Sequence, residues 1–427
     1  MNVYISGISG TGMGPLALMA KAAGLNVSGS DLSKGAIYDE LRDAGIDVFI
    51  GEQDGEFLRE QMKDGVDWFV YTSALPEKHA ELVLAKESGI KCTKRDDFTA
   101  FLVEKLGLKM VAVAGTHGKT TTTAMIVWAA LQEKLPVAYI VGTNLGFAPA
   151  GSYHEGDKYF VYEADEYDRN FLKYHPWLAV IPFVSYDHPD IYKTPEEYKE
   201  AFKQFKKQSS NLIEYDAGKI LRNGETVLSF SPEKFELPGQ ARKIDAALAG
   251  EAVMRIKQDR NDEREIDQVL KPEREISIIN SFPGIGRRFE RINDGVYTDY
   301  AHHPEEIIAT IEMAKEQALI DKKKGVVVVY QPHQNTRQHE VRAGYKDAFV
   351  GVDKLYWLPT YLTRENESLA VIEPSEFIKD LSNNEAAEVA ELNDDLAKAL
   401  RRYSRDGYLV LLMTAGPADG WFRQQFD

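Results

Sequence analysis

The chain has 427 residues, of which 44% are hydrophobic and 28% are charged, and its formal net charge at pH 7 is -16. This length exceeds one ordinary core, so we expect a soluble globular protein of three packed domains. The acidic balance argues against sequence-independent binding to nucleic acid or to an anionic membrane, because such binding needs many Lys and Arg contacts. An anionic ligand must therefore be held by groups placed locally.

A single cysteine and the lack of long apolar stretches indicate where the protein works. Cys92 is the only cysteine, so no disulfide can form within the chain, which suits a reducing compartment. The sequence contains neither a signal-peptide pattern at its start nor about 18 consecutive apolar residues that would cross a membrane. We therefore predict a cytoplasmic protein.

The first region alternates strands and helices as far as about residue 103. An apolar strand at residues 2–6 leads into the glycine-rich turn GISGTGMG, and a periodic apolar segment then predicts a helix. The alternation is typical of a parallel, Rossmann-like α/β domain. The glycine turn, with Asp31 at the end of the second strand, also suggests a nicotinamide dehydrogenase. However, the GxGxxG spacing that begins at Gly10 places Pro15 where the third glycine is required.

The second region opens with the strongest motif, a glycine loop between an apolar strand and an Ala-rich helix. Backbone N–H groups and a helix N-terminus in such a loop bind phosphate oxygens. Lys119 can neutralise charge during phosphoryl transfer, and Thr120 can offer a hydroxyl to Mg²⁺. Val113 replaces the first glycine of the longer P-loop pattern, and the alternative is a structural turn. The predicted nucleotide-binding residues are Gly115, Thr116, His117, Gly118, Lys119, Thr120 and Thr121.

An acidic segment follows the next buried strand, at Glu163, Asp165, Glu166 and Asp168. Carboxylates this close repel one another, and Mg²⁺ relieves that repulsion beside substrate phosphates. Ligands of parallel sheets gather at the carboxyl ends of the strands, so we predict a metal site here rather than a solvated acidic loop. His188, after the following strand, is either a further ligand or a hydrogen-bonded structural group.

A third α/β region begins near residue 291, with polar groups after its strands. His302 lies before a helix predicted from Pro304, where it either faces an anion or acts as a plain N-cap. Arg287 and Arg288 form either a phosphate clamp or an interdomain salt bridge. His333 and Arg337 follow the next strand in what is, taken alone, a polar loop.

Together these motifs resemble the Mur ligases of peptidoglycan synthesis across nearly the whole chain. The segments GISGTGMG, GTHGKTTT, EADEYD, DHPDIY, GIGRRFE, DYAHHPEE and QPHQNTR occur in the order of that family. The resemblance implies an ATP-dependent carboxylate–amine ligase with ATP and Mg²⁺ as cofactors. It also implies a UDP-sugar-binding domain at residues 1–104, an ATP-binding domain at 105–290, and a domain at 291–427 that binds the amino acid and closes on ATP.

The resemblance also implies roles for individual residues. Lys119 contacts the γ-phosphate, Thr120 holds one Mg²⁺, and Glu163 with His188 holds a second. Lys119, His188, His302 and Arg337 are the expected catalytic residues, and Arg288 and Asp299 are expected to close on ATP. The expected substrates are UDP-N-acetylmuramate and a free amino acid, L-alanine first. The expected substrate-binding residues are Ser9, Gly10, Thr11, Gly12, Met13, Asp31, Ser73, Tyr300, His302, His333 and Arg337.

Four segments depart from the family pattern. Phe183-Val184-Ser185 replaces an Asn-Ile-Glu run, which alters the second metal shell. Gln240-Ala241-Arg242-Lys243 replaces the expected His-Asn pair and implies a changed adenine site. QPHQNTR stands for the usual QPHRYTR, and Thr414-Ala415-Gly416-Pro417 replaces a GAGD-like turn near the amino-acid pocket.

Two alternatives remain beside the dehydrogenase. A sibling ligase attaches a recycled murein tripeptide to the same sugar nucleotide, although QPHQNTR fits the alanine-adding branch better than the Pro-Arg-Ser-Asn loop of the tripeptide enzyme. A non-catalytic nucleotide switch would bind ATP without releasing phosphate. We expect a monomer or a weak homodimer.

Overall fold

The computed structural model describes residues 1–35, 37–72, 75–188, 191–264, 271–363, 365–366 and 368–426, without the side chains of 262–264. Ser73, a predicted substrate residue, lies outside the described residues. Contacts divide the chain into two compact units. The first unit is Met1–Phe235 with Ile244–Pro283, and the second is Glu236–Lys243 with Gly284–Asp427.

The first sheet of the first unit consists of parallel strands that alternate with helices. Its elements are β1 Asn2–Ser6, α1 Gly14–Ala22, β2 Asn26–Asp31, α2 Tyr38–Asp43, β3 Asp47–Ile50, α3 Glu56–Gln61, β4 Trp68–Tyr71, α4 Ala80–Glu87, β5 Lys91–Lys94 and α5 Arg95–Leu106. The strand order is β3-β2-β1-β4-β5. Strand β1 has a run of four buried residues, as expected for a central parallel strand covered on both faces. The glycine turn therefore leaves the sheet from its middle, between neighbours β2 and β4.

The second sheet of the first unit has a parallel centre with an antiparallel extension at each edge. Its elements are β6 Lys109–Val113, α6 Lys119–Gln132, β7 Val137–Ile140, β8 Gly151–Ser152, β9 Tyr159–Glu163, β10 Leu178–Ile181, α7 Pro195–Lys207, β11 Leu212–Asp216, β12 Lys219–Arg222, β13 Glu225–Thr226, α8 Gln240–Arg264 and α9 Pro272–Asn280. The strand order is β13-β12-β11-β10-β6-β9-β7-β8. Strand β6 lies between β10 and β9, so the carboxyl ends of these three parallel strands meet at one edge.

The sheet of the second unit is parallel except for its first strand. Its elements are β14 Glu290–Asn293, β15 Val296–Asp299, α10 Pro304–Ile320, β16 Val326–Gln331, α11 Asn335–Val341, β17 Lys354–Trp357, α12 Pro374–Asp380, β18 Ala387–Val389, α13 Asp394–Arg405, β19 Leu409–Thr414 and α14 Ala418–Gln424. The strand order is β14-β15-β19-β16-β17-β18. The carboxyl ends of β15, β19 and β16 are therefore neighbours.

The hydrophobic cores follow these sheets. One buried cluster runs from Val3 to Phe205 and includes residues of both sheets of the first unit. In the second unit, separate clusters form around Val328 and around Val327, residues that point to opposite faces of β16. None of the described helices is both long and apolar enough to cross a membrane.

The predicted α/β class is confirmed, with parallel sheets flanked by helices in each region. The strand–loop–helix order is as expected at both glycine loops, and the helix predicted from Pro304 begins there. The polar and charged stretch of about residues 206–280, whose sequence gives no clear order of elements, contains the long helix α8, which begins in the segment Glu236–Lys243 of the second unit. The domain boundaries at 104/105 and 290/291 stay a prediction.

Candidate functional site

The phosphate loop lies between β6 and α6, where two glycines make close approaches. Gly118 precedes the first residue of α6 with φ of 82°, and an added Cβ there would lie 2.5 Å from Asp245 Oδ1. A Cβ on Gly115 would lie 2.7 Å from the carbonyl oxygen of Phe183. Both positions therefore require glycine because a side chain would not fit. At Gly118 the left-handed φ is a second reason, since it is strained for other residues.

The loop is held by the segment that follows β10. Thr116 N–H donates to Phe183 O at 2.8 Å, and the Thr116 hydroxyl donates to Ser185 O at 2.6 Å. His117 pairs with Phe183 as an isolated antiparallel bridge. The Tyr198 hydroxyl, 2.7 Å from Thr116 Oγ1, adds a contact that sequence patterns did not predict. Since Phe183 and Ser185 contribute main-chain atoms, this departure from the family pattern leaves the support of the loop intact.

Lys119 is anchored at the first position of α6. Its Nζ donates to Gly115 O at 2.6 Å and forms an ion pair with Glu166 Oε2 at 2.8 Å. Burial opposes the charged form of Lys119, but the carboxylates of Glu166 and Asp165 outweigh this effect and raise the pKa of its ammonium. The neighbouring carboxylates therefore favour the charged form of Lys119.

Thr120 and Glu163 form the best candidate metal site. The Thr120 hydroxyl donates to Glu163 Oε1 at 2.9 Å, so the first turn of α6 is joined directly to the end of β9. Glu163 Oε2 is buried and has no hydrogen-bond partner among the described residues. A buried carboxylate oxygen without a partner is costly, and a bound cation satisfies it. Hydroxyl and carboxylate oxygens are also the donors that Mg²⁺ prefers, so these residues fit the ion.

The remaining acidic residues, expected to form one cluster, have separate partners. Asp165 accepts a hydrogen bond from Tyr167 N at 3.0 Å, and Asp168 pairs with Lys94 at 3.0 Å. Burial would raise the pKa of Glu166, but Lys119 and His188 lower it below its usual range. His188 Nε2 lies 3.4 Å from Glu166 Oε1. The structure therefore places His188 beside the partner of Lys119.

The N-terminal glycine loop is folded against Asp31. Ser9 N–H donates to Asp31 Oδ2 at 2.9 Å, while Gly10 and Thr11 are exposed and Met13 is buried. A dehydrogenase would use the acid after its second strand to bind a ribose hydroxyl. Here that carboxylate holds the loop itself, which argues against the dehydrogenase alternative.

Arg95, at the start of α5, was not among the predicted site residues. Its Nη1 lies against Gly12, where an added Cβ would be 2.4 Å away. Its guanidinium also lies 4.0 Å from Asp165 Oδ2 of the acidic segment. The position directly after β5, at the carboxyl edge of the sheet, was a signal that could have identified this residue.

In the second unit, the ends of β15 and β16 bring His302, His333 and Arg337 together. His302 Nε2 contacts Arg337 Nη1, and the rings of His302 and His333 are 5.8 Å apart in an edge contact. His302 Nδ1 lies 3.1 Å from Tyr300 O and 3.3 Å from Glu306 Oε2. The N-cap of α10 is His303, so the plain N-cap role considered for His302 is wrong. An arginine held by a histidine in this way can bind a carboxylate.

The two predicted arginines lie around Tyr300. The Arg287 and Arg288 guanidinium carbons are 4.7 and 4.9 Å from the Tyr300 ring centroid. Arg287 also donates to Thr414 O at 2.7 Å, within the same unit. Asp299 is buried and accepts hydrogen bonds from Phe289 N and Ala301 N, while burial raises its pKa against the effect of Arg288. Asp299 therefore shapes the turn after β15.

A glycine loop with an anchored lysine beside an unpartnered carboxylate, at the edge of a parallel sheet, defines a nucleotide-dependent enzyme. Family models agree with this class. "Mur ligase family, catalytic domain" matches residues 2–105, "Mur ligase middle domain" matches 113–256, and "Mur ligase, glutamate ligase domain" matches 287–416. The chain therefore belongs to the Mur ligase family, whose members are ATP-dependent ligases.

Individual relatives cover nearly the whole chain. It is 30% identical to the UDP-N-acetylmuramate--L-alanine ligase of Clostridium tetani, over 97% of this chain and 95% of the relative. The crystal structure of a UDP-N-acetylmuramate-alanine ligase from Thermotoga maritima has a TM-score of 0.77 at 21% identity, covering 100% of this chain and 98% of that chain. A murein peptide ligase from Psychrobacter arcticus has a TM-score of 0.61 at 21% identity, with the same coverage. The two structures share the fold.

Proposed function

We propose that this chain joins L-alanine to the carboxylate of UDP-N-acetylmuramate, in the synthesis of peptidoglycan precursors. The observation that carries this proposal is the similarity, over 97% of the chain, to the UDP-N-acetylmuramate--L-alanine ligase of Clostridium tetani. The phosphate loop and its acidic edge supply the chemistry that such a reaction needs.

The reaction needs ATP because a carboxylate is a poor electrophile. Transfer of the γ-phosphoryl group to the sugar carboxylate gives an acyl phosphate, whose carbonyl carbon the amine attacks as phosphate leaves. Lys119 neutralises charge on the transferred group, and the N–H groups at the start of α6 orient the phosphates. Gly115 O and Glu166 hold the Lys119 ammonium beside the loop, so the charge is in place before the nucleotide binds.

We assign Mg²⁺ to Thr120 Oγ1 and Glu163, with Glu163 Oε2 as the free ligand atom. The bound ion would screen charge between the phosphates of ATP and the incoming carboxylate. His188 holds Glu166 in place for its ion pair with Lys119. The 3.4 Å distance between His188 Nε2 and Glu166 Oε1 supports this role.

The other ligands are assigned to the remaining clusters. The uridine nucleotide binds the loop of residues 7–13 in the first unit, supported by the exposure of Gly10 and Thr11 and the anchoring of Ser9 by Asp31. In the second unit, Arg337 binds the amino-acid carboxylate and His302 fixes its guanidinium. We further propose that the enzyme works in the cytoplasm, as a monomer or weak homodimer, without nucleic acid or membrane partners.

The test is phosphate release from ATP in the presence of Mg²⁺ and UDP-N-acetylmuramate, screened across single amino acids and the murein tripeptide. We expect release with L-alanine and little with the tripeptide. Preference for the tripeptide would assign the sibling activity instead. Absence of release with every acceptor would contradict a ligase function.

A further inference from the structure

The glycine loop after β1 contains no cation of its own. Residues 7–13 read Gly-Ile-Ser-Gly-Thr-Gly-Met, in a chain with a net charge of -16. Main-chain N–H groups and a helix N-terminus orient phosphate oxygens, but they supply only partial charge. A diphosphate on this loop therefore needs a positive group from another element.

Arg95 is the cation that the fold brings to the loop. It follows β5 directly and begins α5, and its Nη1 would be 2.4 Å from a Cβ at position 12. The guanidinium thus occupies the space beside Gly12 that any other residue would fill. Because the φ of Gly12 is not in the left-handed region, a side chain at this position would disturb chiefly the placement of the guanidinium.

The guanidinium of Arg95 is fixed by the carboxylate of Asp96. Arg95 Nη2 donates to Asp96 Oδ1 at 3.2 Å, and that oxygen also accepts from the hydroxyls of Tyr162 and Tyr174, each at 3.0 Å. A guanidinium carries five N–H donors, and the bond to Asp96 uses one. The Arg95 side chain is 25% exposed. The bond to Asp96 therefore holds the guanidinium while part of it remains accessible to a ligand.

A second feature of the loop also points to a ligand. The Ser9 side-chain oxygen is buried, with 2% of the residue exposed, and has no hydrogen-bond partner in the described parts of the chain. Buried hydroxyls are normally hydrogen-bonded, so the Ser9 hydroxyl is available to a ligand that binds this loop.

We propose that Arg95 binds the diphosphate of the uridine nucleotide on the loop of residues 7–13. This inference rests on the proposed function and adds a residue that determines affinity for the phosphates. The planar fork of arginine matches phosphate oxygens, so a lysine in its place keeps the charge but loses the paired geometry.

The experiment is calorimetric titration of the full chain with uridine, UMP and UDP. The wild-type protein should bind UDP more tightly than uridine, and Arg95→Met should lower UDP affinity about 10- to 100-fold, as expected for hydrogen bonds to a charged group. The affinity of Arg95→Met for uridine should equal that of the wild type. The UDP affinity of Arg95→Lys should lie between those of the wild type and Arg95→Met. Arg59→Met, which removes an exposed arginine of α3, is the matched control and should leave all three affinities unchanged.

Gly12→Ala tests the same contact without removing a charge. The added methyl must displace the guanidinium, so UDP affinity should fall in the wild-type background but not further in Arg95→Met, giving a non-additive double-mutant cycle. Equal losses for uridine and UDP in Arg95→Met would show a purely structural role and overturn the inference. Retention of the UDP preference in that variant would also overturn it, while leaving the proposed function intact. A wild-type protein that binds no uridine compound would contradict the proposed function itself.

Discussion

At the residue scale, Lys119 forms an ion pair with the buried Glu166, and in the proposed reaction it also contacts the nucleotide. Replacing it with alanine removes the charge that stabilises phosphoryl transfer, so kcat/KM for phosphate release should fall about 100- to 1,000-fold. The same change leaves the carboxylate of Glu166, 1% exposed, without its cation. The free energy of unfolding should therefore also fall by about 3 kcal/mol.

These two losses can be separated with a double variant. Lys119→Ala/Glu166→Gln removes both charges, so its thermal unfolding should return towards wild type while phosphate release stays low. Lys105→Ala, at an exposed position in α5, is the control and should change neither quantity. Recovery of activity together with stability in the double variant would show that Lys119 is structural only.

Glu163 is the acidic residue that we expect to bind metal. Glu163→Gln keeps the size of the side chain but removes the charge at the unpartnered oxygen, so the Mg²⁺ concentration for half-maximal phosphate release should rise at least about tenfold. Asp168→Asn is the matched control, because Asp168 lies in the same segment but is exposed and paired with Lys94. Equal Mg²⁺ profiles for Glu163→Gln and wild type would exclude this assignment.

At the scale of elements, the sequence was sufficient to predict where strands end and which loops follow them. Buried apolar runs such as the strands before Gly115 and Glu163 have a clear pattern, and parallel strands bring their carboxyl ends to one edge. The pairing of side chains at that edge was not predictable. Glu166, three residues past the end of β9, holds Lys119, and the chain turns sharply just beyond it, with Asp168 at a φ of 53°. No periodicity in the sequence encodes such a turn.

The short strand β8 packs on the start of α1, a contact between elements of the two sheets in the first unit. A Cβ on Gly151 would lie 2.1 Å from the carbonyl oxygen of Pro15, and main-chain atoms cannot move aside as a flexible side chain can. Gly151→Ala should therefore lower the free energy of unfolding by roughly 1–3 kcal/mol, measured by denaturant titration. Gly420→Ala, in α14 with open space around it, should be neutral or slightly stabilising. A Gly151→Ala protein as stable as wild type would contradict this packing.

At the scale of the whole molecule, the two units are interleaved along the chain. Residues Glu236–Lys243 belong to the second unit, although the residues on either side belong to the first. Their contacts include the hydrogen bond from Gly239 N to Glu316 at 2.9 Å, across 77 positions of sequence. Composition predicts domains as continuous stretches, so a segment held by such distant contacts could not be assigned from sequence.

Each unit has its own buried core, and this predicts how the molecule unfolds. Differential scanning calorimetry should show two transitions, because the clusters around Phe205 and Val328 belong to different units. The residues proposed to bind the uridine nucleotide all lie in the first unit. UDP at about 100 times its dissociation constant should therefore raise the midpoint of one transition by roughly 5 °C and leave the other in place. Uridine at the same multiple of its own dissociation constant should shift that midpoint equally. An equal shift would show that the stabilisation depends on how fully the site is occupied and not on the phosphates themselves. A single transition that moves as a whole with UDP would mean that the two cores unfold together.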